Sequence, residues 1–217
     1  MEVSLVKAYN LDARSIGGLY EGKIDLIITS PPYINVINYH QNFRAIVEQF
    51  GYNILKVANS EIGANRKFRS NRFKTVVQYA IDMGEVLESC EKALKIGGRM
   101  ILVVGRESMV RKTPFYNSKI LEDLVDAFKY LSIESTSQRE FRNRYGEDIK
   151  EDILVITKSG INEVVDKRIF YNVGLKHINN AIKYADSDVK DGLMEILSDT
   201  NNIQESPVYN NYDTIRA

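Results

Sequence analysis

The sequence is short of several features that would narrow its function at once. Cys90 is its only cysteine among 217 residues, which excludes an internal disulfide framework. Its 29 basic and 29 acidic side chains balance to a formal net charge of zero, so total charge does not indicate nucleic-acid binding. No apolar run approaches the roughly 18 residues that span a bilayer, and the N-terminus lacks a secretory layout. We therefore expect a cytoplasmic protein, whose affinity for nucleic acid would have to come from a local patch.

One stretch combines a strand with two of the only four prolines. The apolar run Ile24–Ile28 is followed by Thr29, Ser30, Pro31, Pro32 and Tyr33, a segment that we call the elbow. Because proline lacks a ladder N–H and fixes φ near −65°, the strand must end at about Ser30. The chain then leaves the sheet as a stiff loop carrying a hydroxyl, free carbonyls and an aromatic ring. Ligands bind at this edge of open α/β sheets, although a simple turn after a core strand is the alternative.

The sequence Ile-Asp-Leu-Ile-Ile-Thr-Ser-Pro-Pro-Tyr closely resembles the catalytic motif of amino-group DNA methyltransferases. These enzymes methylate the exocyclic amine of cytosine (N4) or adenine (N6) with S-adenosylmethionine. The resemblance implies that Ser30, Pro31, Pro32 and Tyr33 are catalytic, and that Thr29 contacts the cofactor. A leading Ser preceded by Thr is more similar to the cytosine-N4 branch, and so is Asn38-Tyr39 downstream, which implies a DNA contact for Asn38. Some adenine enzymes also carry Ser, so both bases stay open.

The flanking patterns predict the rest of the sheet. Helical spacing over Val76–Leu94, a glycine stop at Gly97-Gly98 and the apolar strand Arg99–Gly105 resemble the segment that follows the catalytic strand in these enzymes. We predict an α/β fold: a partial Rossmann-like sheet of S-adenosylmethionine-dependent methyltransferase type, with a C-terminal helical appendage. The division places the catalytic half at residues 1–158 and a polar appendage with two helices and a tail at 159–217.

Smaller elements are predicted around this framework. Val3–Tyr9 reads as a strand ending near Asp12, whose carboxylate would bind the cofactor's adenine by the family resemblance, or would serve as a helix N-cap. Residues 113–118 read as a loop in which Asn117 or Ser118 caps a helix running to about Tyr130. Strands at 131–135 and 152–157 form an antiparallel pair that resembles the C-terminal end of the methyltransferase sheet.

The most basic window lies at residues 65–74. It holds five cations and no acid, interleaved with Phe68 and Phe73. Cations neutralise phosphates, and exposed aromatic rings stack on or wedge between bases. The alternative is a solvated loop that packs both rings into the core. Together with the elbow, this window predicts contact with double-stranded DNA through a set of basic residues that also includes one at the end of the 99–105 strand: Arg66, Lys67, Arg69, Arg72, Lys74 and Arg106.

One expected motif is missing. In the family, a glycine turn of the form D-P-F/x-G-x-G holds the methionine end of S-adenosylmethionine, and no such cluster occurs in the 217 residues. The sequence would thus supply strands three to seven of the methyltransferase sheet and leave an apolar edge exposed. We predict a partner polypeptide that carries the glycine motif, or a homo-oligomer. A decayed gene product, a non-catalytic DNA-binding remnant, and an RNA or protein amino-methyltransferase are the alternatives. No metal is expected.

Overall fold

The structure is a computed structural model that describes residues 6–64, 67–161, 163–198 and 203–209. Its strands are β1 (Ile24–Thr29), β2 (Leu94–Gly105), β3 (Glu107–Val110), β4 (Thr113–Tyr116), β5 (Leu131–Arg142) and β6 (Asp148–Lys158). Its α-helices are α1 (Ile16–Tyr20), α2 (Tyr39–Asn42), α3 (Arg44–Gln49), α4 (Ile54–Ser60), α5 (Lys74–Ala93), α6 (Asn117–Val125), α7 (Lys167–Ala181) and α8 (Ser187–Ser198), with a 3-10 turn at Ala13–Ser15.

The main sheet has four strands in the order β1-β2-β6-β5. β1 is parallel to β2, and the other two pairings are antiparallel. This places the C-terminal ends of β1 and β2, and therefore the elbow, at one edge of the sheet. β3 and β4 form a separate antiparallel hairpin beside that edge. The mixed α/β architecture confirms the predicted fold class.

The two faces of the main sheet differ. Met100, Leu102, Leu154 and Ile156 lie on one face and are buried in the core, together with apolar residues of α5 and α6. The other face, which we call the open face, carries apolar side chains that stay exposed or half-buried: Leu26, Ile28, Ile101, Val103, Ile153 and Val155. The side chain of Ile28 is 65% exposed there. In the described residues, β1 pairs only with β2, so its outer edge is also unpaired.

Helix α5 is the centre of the molecule and also holds the C-terminal helices. A Cβ at Gly84 would lie 2.2 Å from the Phe170 ring of α7, and one at Gly174 would lie 2.7 Å from the Val77 backbone. Both glycines let α7 approach α5 closely. Residues of α7 and α8 belong to the same hydrophobic cluster as the sheet. The two predicted C-terminal helices are therefore present, but they pack into the shared core.

Several local predictions need correction. Residues 6–9 form no strand, and Val6 is 91% exposed; residues 3–5 of that prediction lie outside the described part. Among the described residues the main sheet has four strands, and residues 6–9 pair with none of them. Residues 113–116 form β4 rather than a loop, because they pair with β3. Helix α5 ends at Ala93, before the glycines, and α6 ends at Val125.

The described residues include neither a membrane-spanning helix nor a cluster of metal-binding side chains. No helix in the ranges given above is both long and apolar enough to cross a membrane. In those same ranges, no three His, Cys, Asp or Glu side chains come together in a way that could hold a metal ion.

Candidate active site

The residues that follow the elbow, Ile34 and Asn35, hold it in position. Ile34 is fully buried and its backbone N–H donates to Oδ1 of Asn117 at 3.4 Å. Asn35 adopts φ of 60°, and its N–H donates to the carbonyl of Gly63 at 2.8 Å. Gly63 itself has φ of 73°, and a Cβ there would lie 2.9 Å from the Tyr33 carbonyl oxygen. The two prolines are thus followed by a tightly packed turn, and the elbow is held rigidly.

The ring of Tyr33 lies against the end of β2. A Cβ at Gly105 would approach Cδ2 and Cε2 of the ring to 3.0 Å, so glycine permits this close contact. The phenol donates to Oε1 of Glu151 at 3.2 Å and lies 3.2 Å from Oγ of Ser30. Burial raises the pKa of Tyr33, and the nearby Glu151 carboxylate raises it further, while Ser30 acts in the opposite direction. Tyr33 is therefore a neutral phenol at physiological pH.

These contacts also fix the hydrogen-bonding state of Ser30. A phenol has one proton, and Tyr33 directs it to Glu151, so the Ser30 hydroxyl donates to the phenol oxygen. The lone pairs of the exposed Ser30 oxygen then stay free to accept a hydrogen bond. Glu151 is held in turn by Arg139 at 2.6 Å across β5 and β6. The arrangement presents an acceptor next to a positioned aromatic ring.

A small pocket of about 210 Å³ adjoins the elbow. Asp12, Pro32, Tyr39 and Glu61 contribute to its wall. Asn38 directly precedes α2, and its buried Oδ1 has no hydrogen-bond partner within the described residues. The structure thus places Asp12 and Pro32 on the wall of one pocket. The pocket is smaller than the roughly 300–1,000 Å³ typical of sites for drug-sized ligands. The described residues alone do not enclose S-adenosylmethionine beside the elbow.

The carboxylate of Asp12 has a structural partner. Arg14 binds it through Nε at 2.8 Å and Nη2 at 2.7 Å, and its backbone N–H also donates to Asp12 at 2.9 Å. Asp12 therefore caps the 3-10 turn, which confirms the N-cap interpretation. Burial opposes ionisation, but the hydrogen bonds from Arg14 outweigh it and lower the pKa of Asp12. Its contact with adenine stays a prediction.

Arg14 leads from Asp12 into a buried cluster of charges. Its Nη1 lies 3.6 Å from Oδ1 of Asp82 and donates to the backbone carbonyl of Ser206 at 2.7 Å. Ser206 donates to Asp82 through its N–H and its hydroxyl. Lys67 also donates to the Ser206 hydroxyl, and burial lowers its pKa to about 8. The segment 203–209 thus ties the N-terminal turn to α5.

The basic window divides between inside and outside. Lys67 points into the buried cluster, which corrects its predicted place on the DNA-contacting surface. Phe73 is fully buried, and Phe68 packs against the core, so the core interpretation is confirmed for both rings. Arg69 and Arg72 are exposed, as a phosphate contact requires. The remaining cations of the window are Lys74, which is half-buried, and Arg66, which lies outside the described residues.

Arg106 follows β2 directly and lies next to Tyr33. From sequence we predicted that it contacts DNA, whereas in the structure it forms ion pairs with two carboxylates. Its guanidinium binds Asp152 at 3.2 Å and Glu140 at 3.1 Å, rather than the adjacent Glu107. The second oxygen of Asp152 accepts from the Ser118 hydroxyl at 2.6 Å. Asn117 donates to the Gly105 carbonyl at 2.8 Å. Neither Asn117 nor Ser118 caps α6, because both side chains bind groups at the sheet edge that carries the elbow instead.

Sequence reasoning missed three supporting residues of the elbow: Gly63, Gly105 and Glu151. Each contacts Tyr33 from a distant segment. Gly105 and Glu151 were visible as the ends of predicted strands, but a register between those strands was needed to place them opposite each other. Gly63 gave no signal beyond being a glycine.

Comparisons with known proteins agree with the motif. The family model described as DNA methylase (N6_N4_Mtase) matches residues 24–215. The Type II methyltransferase M.MjaII of Methanocaldococcus jannaschii is 32% identical over 134 residues, which cover 61% of this chain and 24% of that protein. The chain therefore spans about a quarter of that curated relative.

Solved structures show a weaker likeness. A DNA modification methylase of Thermus thermophilus aligns with a TM-score of 0.41 and 17% identity. The alignment covers 72% of this chain and 54% of the methylase. The same protein complexed with S-adenosyl-L-methionine gives a TM-score of 0.39 at 16% identity, and the alignment covers 72% of this chain and 55% of the methylase. A methyltransferase of Methanosarcina mazei aligns with a TM-score of 0.28 and 15% identity. That alignment covers 39% of this chain and 54% of the methyltransferase. The family model covers most of the length of this chain, and the chain therefore belongs to the DNA methylase family.

Proposed function

We propose that this chain carries the base-binding and catalytic part of a DNA amino-methyltransferase. It transfers the methyl group of S-adenosylmethionine to the exocyclic amine of a flipped base, which is cytosine N4 in our proposal. The observation that carries the proposal is the elbow itself. An exposed Ser30 oxygen with free lone pairs lies beside the half-buried ring of Tyr33, which Glu151 and Gly105 position.

Each residue of the elbow has a distinct task in this proposal. An amine inside a duplex cannot be reached, so the target nucleotide leaves the stack. Tyr33 stacks on the flipped base, while the Ser30 hydroxyl and the Pro31 carbonyl accept hydrogen bonds from the amine. These acceptors direct the nitrogen lone pair toward the methyl group. Most of the rate then comes from holding the two reactants in a near-attack geometry, for which a rigid elbow is suited.

Adenine N6 is the second candidate for the methylated position. The leading Ser of the motif and the following Asn38 favour cytosine, but the described residues contain no contact that discriminates one base from the other. The same family covers both reactions by its name. Analysis of methylated nucleosides distinguishes the two directly.

We propose further that a partner polypeptide supplies the glycine-rich part of the cofactor site. Two features support this: the absence of the D-P-F/x-G-x-G motif from the sequence, and the open face with the unpaired edge of β1. Parallel strands are normally covered on both faces, whereas Leu26 and Ile28 are 48% and 65% exposed here. A partner that adds a strand to β1 and covers these side chains would complete the sheet.

The experiment measures transfer of a labelled methyl group from S-adenosylmethionine to double-stranded DNA. The chain is assayed alone and with the product of the adjoining reading frame, and the nucleosides are identified by mass spectrometry. We expect N4-methylcytosine, formed only by the pair. Tyr33→Ala and Ser30→Ala should each lose at least about 100-fold in rate. Ser198→Ala, an exposed serine at the end of α8, is the matched control and should keep full activity.

Each outcome bears on a separate part of the proposal. Near wild-type transfer by both elbow variants would remove Ser30 and Tyr33 from the site. Full transfer by the chain alone would remove the partner. Labelling of tRNA or protein instead of DNA would change the substrate class.

A further inference from the structure

The hairpin formed by β3 and β4 carries two cations at its tip and contacts the turn that follows the elbow. We infer that Arg111 and Lys112 bind backbone phosphates of double-stranded DNA, and that they form one phosphate-binding surface with Arg69 and Arg72. The inference rests on the proposed function, because it assigns the surface that holds the DNA substrate next to the elbow. Neither tip residue belongs to the basic window of the sequence.

The first observation is the backbone conformation of the tip. Arg111 and Lys112 have φ of 47° and 64°, and they form the two-residue connection between Val110 and Thr113. Such a turn strongly prefers Asn-Gly or a similar pair, because other residues are strained at positive φ. The third non-glycine residue with positive φ in the described chain is Asn35 of the elbow turn. Strained backbone that persists without glycine tends to occur at functional sites.

The second observation is that the hairpin is hydrogen-bonded to the turn that follows the elbow. The Asn35 amide donates to the carbonyl of Met109 in β3 at 2.6 Å. On the other side of the hairpin, the Tyr184 hydroxyl donates to the Pro114 carbonyl at 3.1 Å. Val110 and Phe115 anchor the hairpin in the core, at 0% and 1% exposure. The tip therefore keeps a constant position relative to Tyr33. A residue that sets the register of a duplex on the enzyme needs such a fixed position.

The third observation is that the segment carrying Arg72 lies beside the tip. A Cβ added at Gly192 would lie 3.6 Å from Nη1 of Arg111 and 3.4 Å from the ring of Phe73, so both side chains lie next to Gly192. Asn71 donates to the Gly192 carbonyl at 2.7 Å. The segment around Arg72 therefore runs beside Arg111.

These cations are exposed and unpaired. Within the described ranges, no carboxylate oxygen lies within 4.0 Å of a charged nitrogen of the four residues of the surface, Arg69, Arg72, Arg111 and Lys112. The cations of the longer β5–β6 hairpin differ, because Arg139 and Arg142 are bound to Glu151 and Asp148. Exposed guanidinium and ammonium groups without acidic partners can bind phosphate without first losing an ion pair.

The test replaces the tip by the turn that the backbone prefers. Arg111→Asn together with Lys112→Gly removes both cations and relieves the strained conformation, so the variant should unfold at the same temperature as wild type or higher. Binding is measured by fluorescence anisotropy with a labelled duplex of about three helical turns. Titrations between about 50 and 200 mM salt give the slope of log K against log salt. We expect the slope to fall by about 1.8, since each phosphate contact contributes about 0.9.

The control removes the same charge from the far end of the sheet. Lys23 precedes β1 and Lys129 precedes β5, and both are exposed. Lys23→Asn together with Lys129→Asn should leave the slope unchanged. An unchanged slope in the tip variant, an equal loss in the control, or no duplex binding by wild type at low salt would overturn the inference. Tighter, tip-dependent binding of duplex RNA would overturn the assignment to DNA.

This result is independent of methyl transfer. Tip-dependent binding of the duplex by a protein that transfers no methyl group would leave the inference standing and refute the proposed function. Methyl transfer with a tip-independent salt slope would do the reverse.

Discussion

Substitution of Gly105 by Ala tests how the end of β2 positions Tyr33. The new methyl group would lie 3.0 Å from Cδ2 and Cε2 of the ring. Carbon atoms pack best at about 3.5–4.0 Å, so the ring has to move by about 0.5–1 Å. The Tyr33 hydroxyl already lies 3.2 Å from Glu151, and a displacement of this size would break that hydrogen bond. We expect methyl transfer by the assembled enzyme to fall by about 10- to 100-fold.

The same substitution should leave the protein folded. Alanine is favoured over glycine in a strand by about 0.5–1 kcal/mol, which offsets part of the crowding. The free energy of unfolding should therefore stay within about 1 kcal/mol of wild type in urea titrations. Gly18→Ala is the matched control, because a Cβ at Gly18 meets nothing within 4 Å. It should preserve both activity and stability.

A spectroscopic measurement follows Tyr33 directly. In wild type, burial and the Glu151 carboxylate raise the pKa of Tyr33 above its ordinary value. In the Gly105→Ala protein the ring moves away from the strand, so this pKa should fall. Titration of ¹³Cζ-labelled tyrosine by NMR, with the signal assigned by Tyr33→Phe, measures the change. An unaltered pKa together with unaltered methyl transfer would refute the packing argument.

Three further predictions concern stability, each measured by urea unfolding. Gly84→Ala should destabilise by about 1–3 kcal/mol, since the methyl group would overlap the Phe170 ring at 2.2 Å; an unchanged midpoint would contradict that packing. Lys158→Met should cost about 3–5 kcal/mol, because it removes the ion pair with the buried Glu91 carboxylate at 2.9 Å and the hydrogen bonds to the carbonyls of Glu91 and Leu94 at 2.8 and 3.0 Å. The added change Glu91→Leu should recover only part of the loss, since both carbonyls stay without the Lys158 donor. Burial raises the pKa of Asp82 to about 6 from 3.8, so the folded protein holds this proton more strongly than the unfolded chain. The protonated carboxyl therefore contributes stability that is lost as pH rises from about 4 through 6, and wild type should lose about 1–3 kcal/mol relative to Asp82→Asn over that range; a pH-independent difference would contradict this.

The strand and elbow were predictable because their physics is local. An apolar run ended by two prolines leaves few options, and β1 does end at Thr29. The helix over residues 74–93 was equally readable, because its apolar spacing is regular. The environment of the elbow was not, since Gly63 and Glu151 reach Tyr33 from distant parts of the chain.

Other residues were misplaced because composition does not give direction. The cations of the basic window look equivalent in sequence, yet Lys67 turns inward to Ser206 while Arg69 and Arg72 point to solvent. Asn117 and Ser118 have the chemistry of helix caps, but their side chains find partners in Gly105 and Asp152. The strand predicted at residues 3–9 depended on a pairing that composition does not specify, and residues 6–9 form no strand in the structure.

The bond between Arg14 and the Ser206 carbonyl joins residues 192 positions apart. The ribosome releases Arg14 first, whereas Ser206 is synthesised 192 residues later. Throughout that interval the turn that bears Asp12 lacks one of its anchors, and Asp82 lacks the two donors of Ser206 that satisfy it. Contacts of such long separation close slowly. The turn that bears Asp12, next to the elbow, should therefore gain its final anchors only after residue 206 has left the ribosome.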